Sequence, residues 1–147
     1  MERPMKWHKF LIYFLLWLSG VGNIITGFQS ITGSQYGAQA QRVYSYYPGL
    51  KTIDVIFGLF AICLGIFIIV TRFKLAGFKA AGPKYLTLMY VLGASASIFY
   101  IIAVTSTTSL TLSDIGGLQI ITQIVVPIVI IDINKSYYDK RADLFVN

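Results

Sequence analysis

Four long apolar runs alternate with short polar stretches along the chain, at residues 10–28, 55–71, 85–104 and 115–131. Each is about 17–20 residues long, or roughly 25–30 Å as α-helix, which matches the hydrocarbon thickness of a bilayer. The pattern predicts an all-α polytopic membrane protein: one domain over residues 1–147 forming a four-transmembrane-helix bundle. The expected helices cover about 10–30, 50–71, 84–105 and 114–134. No internal repeat is convincing.

Within the runs, polar and small residues keep helical spacing. In the first, Ser19, Asn23, Thr26, Gly27 and Ser30 share one side, which suits helix contact because lipid offers no hydrogen bonds. Asn23 is read as interhelical glue, or as an amide that touches a substrate. In the second, Asp54, Gly58, Ala61 and Gly65 lie on one face and let another helix approach closely. An ionisable residue at membrane depth is a functional candidate by default. Asp54 also has a structural reading, since it sits in its helix's first turns with Lys51 one turn away. In the third, Gly93 and Ser97 share a face with Tyr90 and predict close packing. In the fourth, Gln119 and Gln123 stack four apart, Pro127 predicts a kink, and Ser113 or Asp114 is a candidate N-cap.

The polar stretches set the expected topology. The central connector carries Arg72, Lys74, Lys79 and Lys84 and no acid. With the N-terminus, the connector and the C-terminus on one side, that side holds Arg3, Lys6, Lys9, Arg72, Lys74, Lys79, Lys84, Lys135, Lys140 and Arg141. The other side holds only Arg42 and Lys51. Positive residues stay inside, so both termini are expected in the cytoplasm. The connector is expected to lie on the inner leaflet. The outer segment from 31 to 50 predicts a short surface helix with Tyr36, Tyr44, Tyr46 and Tyr47 in the headgroup belt, or a docking surface. Trp7 and Lys9 read as an interfacial anchor, and the lone His8 as a solvated or headgroup-contacting residue. The first run continues past Ser19 and Gly20, too long for a secretory signal core, so the first helix is expected to stay uncleaved.

Composition agrees: 56% of residues are hydrophobic, 12% are charged and mean hydropathy is +0.69, against about 25% charged in soluble domains. The net charge of +6 fits a partner bilayer with anionic inner-leaflet headgroups. Nucleic acid is not an expected partner, because the basic residues divide among three short juxtamembrane pieces. Cys63, the one cysteine, forms no intrachain disulfide and reads as apolar filling.

Candidate chemistry is sparse. Of the six acids, Glu2, Asp54, Asp114, Asp132, Asp139 and Asp143, only Asp54 is expected inside the bundle. One histidine and one cysteine make no zinc site, and no phosphate-binding glycine loop is present. No catalysis, metal or cofactor is expected. Two functions stay open. One is a membrane interaction protein whose small-residue faces join helices within or between copies or to a membrane-protein partner. The other is a transporter, channel or sensor for a small polar or cationic solute, with Asn23, Asp54, Gln119 and Gln123 lining an outward-opening recess. Small multidrug exporters also have four helices, but they carry an acid in the first, where this chain has Asn23.

Three stretches, KWHKFLIYF at 6–14, RFKLAGFK at 72–79 and NKSYYDKR at 134–141 followed by Leu144 and Phe145, carry a resemblance. The chain resembles a group of small four-helix integral membrane proteins, mainly of Gram-positive gut bacteria, some of which bear an N-terminal zinc ribbon without counterpart here. The resemblance implies a bacterial cytoplasmic membrane and the same topology, and it brings no activity and no site.

Overall fold

The computed structural model describes residues 5–109, 111 and 117–146, without the side chains of 117–120 and 123. Among the described residues the chain is all-α, with four long helical segments. The first is a continuous rod made of α1 (Lys6–Phe10), a π-helical turn (Leu11–Leu15) and α2 (Leu16–Thr32). A 3-10 turn (Ser34–Gln39) and α3 (Ala40–Tyr46) lead to α4 (Leu50–Ala76), α5 (Gly82–Thr108) and α6 (Gly117–Asp139), with a last 3-10 turn at Ala142–Leu144.

Three of these segments, the first rod, α4 and α5, are long and apolar enough to cross a membrane. Phe14, Leu18, Ile25, Phe28, Ile56, Ile66, Phe99 and Ile102 all face outward. A water-soluble surface rarely gathers so much exposed apolar area, whereas lipid favours it. The chain therefore has the character of a membrane protein. The helices also outrun the apolar blocks: α4 continues through Arg72 and Lys74 to Ala76. Helical hydrogen bonding is internal to the backbone and does not stop where the side chains become polar.

The tightest contact joins α2 and α4, and one spacing explains it. Both helices carry Gly-x3-Ile-x2-Gly-x3-Ile, as Gly20, Ile24, Gly27, Ile31 and as Gly58, Ile62, Gly65, Ile69. Each isoleucine fills the notch of a glycine opposite: Ile69 at Gly20, Ile62 at Gly27, Ile31 at Gly58, Ile24 at Gly65. The four residue-number pairs share one sum, so the helices run antiparallel and are related by a local pseudo-twofold axis. A Cβ on Gly27 would lie 2.6 Å from the Gly58 carbonyl oxygen, and one on Gly58 equally close to that of Gly27. Only glycine permits this backbone approach.

By contrast α5 is thinly covered. Along its 27 residues only Gly82, Leu86, Met89 and Thr108 are buried. At Gly93, an added Cβ would meet nothing nearer than Leu64 Cδ2 at 3.6 Å.

Two expectations change at the basic end. The connector is shorter than expected: α4 and α5 take up most of it, leaving a short turn in which Phe78 adopts φ 50° and stacks on His8 at 5.1 Å. His8 is not solvated either, since it is buried, and Trp7 beside it hydrogen-bonds to α6. The one-residue excess of the π-helical turn rotates the segment before it by about 100° relative to α2.

Candidate functional site

At the end of the bundle where α4 begins, Asp54 is fully buried and accepts three phenolic hydrogen bonds. Tyr36 and Tyr44 donate to Oδ2 at 3.0 and 2.9 Å, and Tyr100 donates to Oδ1 at 2.8 Å. These donors come from the 3-10 turn, α3 and α5, so one carboxylate ties the loop to two long helices. The geometry rests on Gly33, whose φ of 75° ends α2 in the left-handed region. The Tyr44 ring packs there, 2.7 Å from where a Cβ would stand. Gly37 then bends the chain again with φ 56° and ψ −137°. The two turns aim Tyr36 and Tyr44 inward, ring centroids 5.5 Å apart and edge to face.

Of the four loop tyrosines assigned to the headgroup belt, two therefore turn into the bundle. Tyr46 stays exposed and packs on Tyr47. Lys51, the expected local partner of Asp54, is not among its hydrogen-bond partners; phenols occupy both carboxylate oxygens.

At the opposite end a second polar cluster joins the chain's two ends. Trp7 Nε1 donates to Asn134 Oδ1 at 2.9 Å, and His8 Nδ1 shares a 3.0 Å hydrogen bond with the Tyr138 hydroxyl. The rings of Phe78 and Phe145 cover His8. Buried His8 Nε2 and Asn134 Nδ2 have no hydrogen-bond partner among the described residues. Sequence reasoning singled out neither Asn134 nor Tyr138, although their four-residue spacing places them on one helix face.

Between the two clusters, α2, α4, α5 and α6 border a cavity of about 390 Å³. Asn23, Tyr90, Gly93, Ser97, Thr122 and Pro127 are among its walls. Asn23 Nδ2 donates to the Ser19 carbonyl one turn back, and Ser97 bonds in the same way to Gly93. The Tyr90 hydroxyl makes no hydrogen bond among the described residues.

The predicted residues thus fall at different depths. Asn23 is on the cavity wall and Asp54 under its tyrosines, while the side chains of Gln119 and Gln123 lie outside the described residues, as do Ser113 and Asp114. Gly58, Ala61 and Gly65 are buried on α4; Gly93 and Ser97 border the cavity. Cys63 faces outward. Among the described residues, no three His, Cys, Asp or Glu side chains come together.

No family model matches the chain, and no curated protein or solved structure matches it either.

Proposed function

We propose that this protein spans the cytoplasmic membrane four times, keeps both ends in the cytoplasm, and works by associating with other membrane chains rather than by catalysis. The ten-to-two division of basic residues supports the orientation. One observation carries the association: α5 is apolar over a membrane-length span, yet only four of its residues are buried. The small residues Ser95, Ala96 and Ala103 line a groove between α4 and α5 that leaves room for a further helix, and small residues let helix backbones pack closely in lipid. In the simplest case that helix belongs to a second copy. The test is crosslinking in native membranes from Ala96→Cys in a Cys63→Ser background, followed by mass analysis. A crosslinked dimer or a defined partner is the expected product. Monomer alone, with Ala96→Cys accessible and the protein folded, overturns the reading.

A second reading rests on the cavity at Asn23, Tyr90 and Ser97, whose volume suits a small solute. This reading keeps Asp54, Gln119 and Gln123 as candidate polar contacts for the solute. Uptake that survives Asp54→Asn and Gln123→Leu in folded protein removes it.

A further inference from the structure

Arg72 is held more firmly than a boundary arginine needs to be. Its Nε donates to the Ile12 carbonyl at 3.0 Å, inside the π-helical turn (Leu11–Leu15). A π-helical turn disturbs the regular backbone ladder, and the arginine supplies a donor to a carbonyl there. The guanidinium carbon also sits 5.2 Å from the centre of the Trp17 ring and 4.8 Å from that of Phe73. These two rings stand edge to face at 6.0 Å. With one nitrogen bonded and the plane flanked by aromatics, the rotamer freedom that normally weakens an arginine contact is already lost. No carboxylate accepts from Arg72 among the described residues, and Nη1 and Nη2 make no hydrogen bond there. Such a pre-oriented, uncompensated fork matches the paired oxygens of a phosphate.

Its depth identifies the source of that phosphate. Arg72 lies eighteen residues after Asp54 on α4, or about 27 Å along the axis, close to the thickness of the hydrocarbon slab. It shares its end of the bundle with Lys74 and Lys79. Trp17 and Phe73 beside it are both exposed, offering apolar walls at the height where acyl chains begin. We infer that Arg72, flanked by Trp17 and Phe73, is a specific site for the phosphodiester of one anionic phospholipid in the adjoining leaflet. The inference rests on the membrane-spanning reading above.

The experiment uses full-length protein in nanodiscs. Carbonate extraction first establishes that wild type and Arg72→Gln both remain membrane-integral; loss of the wild type from the membrane defeats the spanning reading and the lipid site together. Lipid retention is then read by native mass spectrometry after release from bilayers of equal parts phosphatidylglycerol and phosphatidylcholine. Wild type is expected to keep one phosphatidylglycerol per chain, with retention at least about tenfold weaker in Arg72→Gln, the loss of roughly one charge-assisted contact. Arg72→Lys is expected to fall between, having the charge without the fork. Equal retention in wild type and Arg72→Gln overturns the site. So does equal retention of the two lipids by wild type, which decides the matter even if the glutamine variant fails to fold. In a third arm inorganic phosphate is added to delipidated protein; tight binding of phosphate alone, lost in Arg72→Gln, reassigns the site to a free anion and overturns the lipid.

Discussion

The two oxygens of Asp54 are unequally supplied. Oδ2 accepts from Tyr36 and Tyr44, whereas Oδ1 accepts from Tyr100. Tyr100→Phe strips Oδ1 of its phenol in a buried site, at an expected cost of about 1.5–3 kcal/mol. Tyr36→Phe or Tyr44→Phe leaves one donor on Oδ2 and is expected to cost about 0.5–1.5 kcal/mol. Thermal unfolding in one detergent should rank Tyr100→Phe as the least stable of the three; equal losses would mean the oxygens are interchangeable. The cluster at the other end of the bundle obeys the same rule in reverse. Asn134 already has Nδ2 unpartnered, so Trp7→Phe leaves its Oδ1 unpaired as well and is expected to cost about 1–3 kcal/mol. Adding Asn134→Leu should restore part of that loss, because removing both partners is cheaper than orphaning one. A double-mutant cycle that is simply additive argues against the bond. At this scale the sequence was half legible. Asp54 stood out as an acid at membrane depth, but local rules reach only a turn away and pointed to Lys51. Its partners lie 10, 18 and 46 positions away, and nothing in the spacing of the tyrosines announces them. His8 was misjudged for the same reason: its burial depends on Phe78, Tyr138 and Phe145, which only the folded chain assembles.

Between elements, packing is set by what glycine leaves out. The pseudo-twofold contact of α2 and α4 requires that Gly20, Gly27, Gly58 and Gly65 stay bare, whereas Gly22 faces open space. Gly27→Ala drives a methyl group into the Gly58 carbonyl and is expected to destabilise by about 1–3 kcal/mol. Gly22→Ala meets nothing and is expected to be neutral or to stabilise by up to about 0.5–1 kcal/mol through helix propensity. A melting comparison of the two is a matched test, since the substitutions are chemically identical and five residues apart on the same helix. Equal effects would remove the close approach as the cause. The α4 half of this contact was readable, because Gly58, Ala61 and Gly65 fall on one face. The α2 half was partly readable: of the expected side, Gly27 and Ser30 are buried, but Thr26 is exposed and Gly20 went unnoticed among its polar neighbours. Setting the two runs side by side exposes the shared Gly-x3-Ile-x2-Gly-x3-Ile spacing; reading each helix alone does not. The expected helix limits followed hydropathy, and hydropathy marks the edge of lipid rather than the end of a helix, so α4 and α5 run further than their apolar cores.

For the whole molecule, the phenol-bound acid and the aromatic-flanked arginine define two levels on one helix. Cys63 stands nine residues from each of Asp54 and Arg72 on α4, or about 13–14 Å of helix rise from either. It faces outward from the bundle, so its reactivity depends on what surrounds the protein. In water an exposed thiol labels readily through its thiolate. In the proposed spanning arrangement, with a hydrocarbon core about 30 Å thick, this sulfur would sit near the midplane, out of reach of a charged reagent. Wild-type protein in intact vesicles is therefore expected to resist a sulfonated maleimide and to label once dodecyl sulfate dissolves the membrane. Moving the cysteine outward in a Cys63→Ser background makes the profile a ruler. Thr52→Cys and Lys79→Cys should regain labelling in water-accessible positions on opposite faces and, in the proposed orientation, the second only when the reagent reaches the cytoplasmic side. Rapid labelling of Cys63 by the charged reagent in sealed vesicles would place α4 beside water along its length, and the spanning architecture would have to be abandoned.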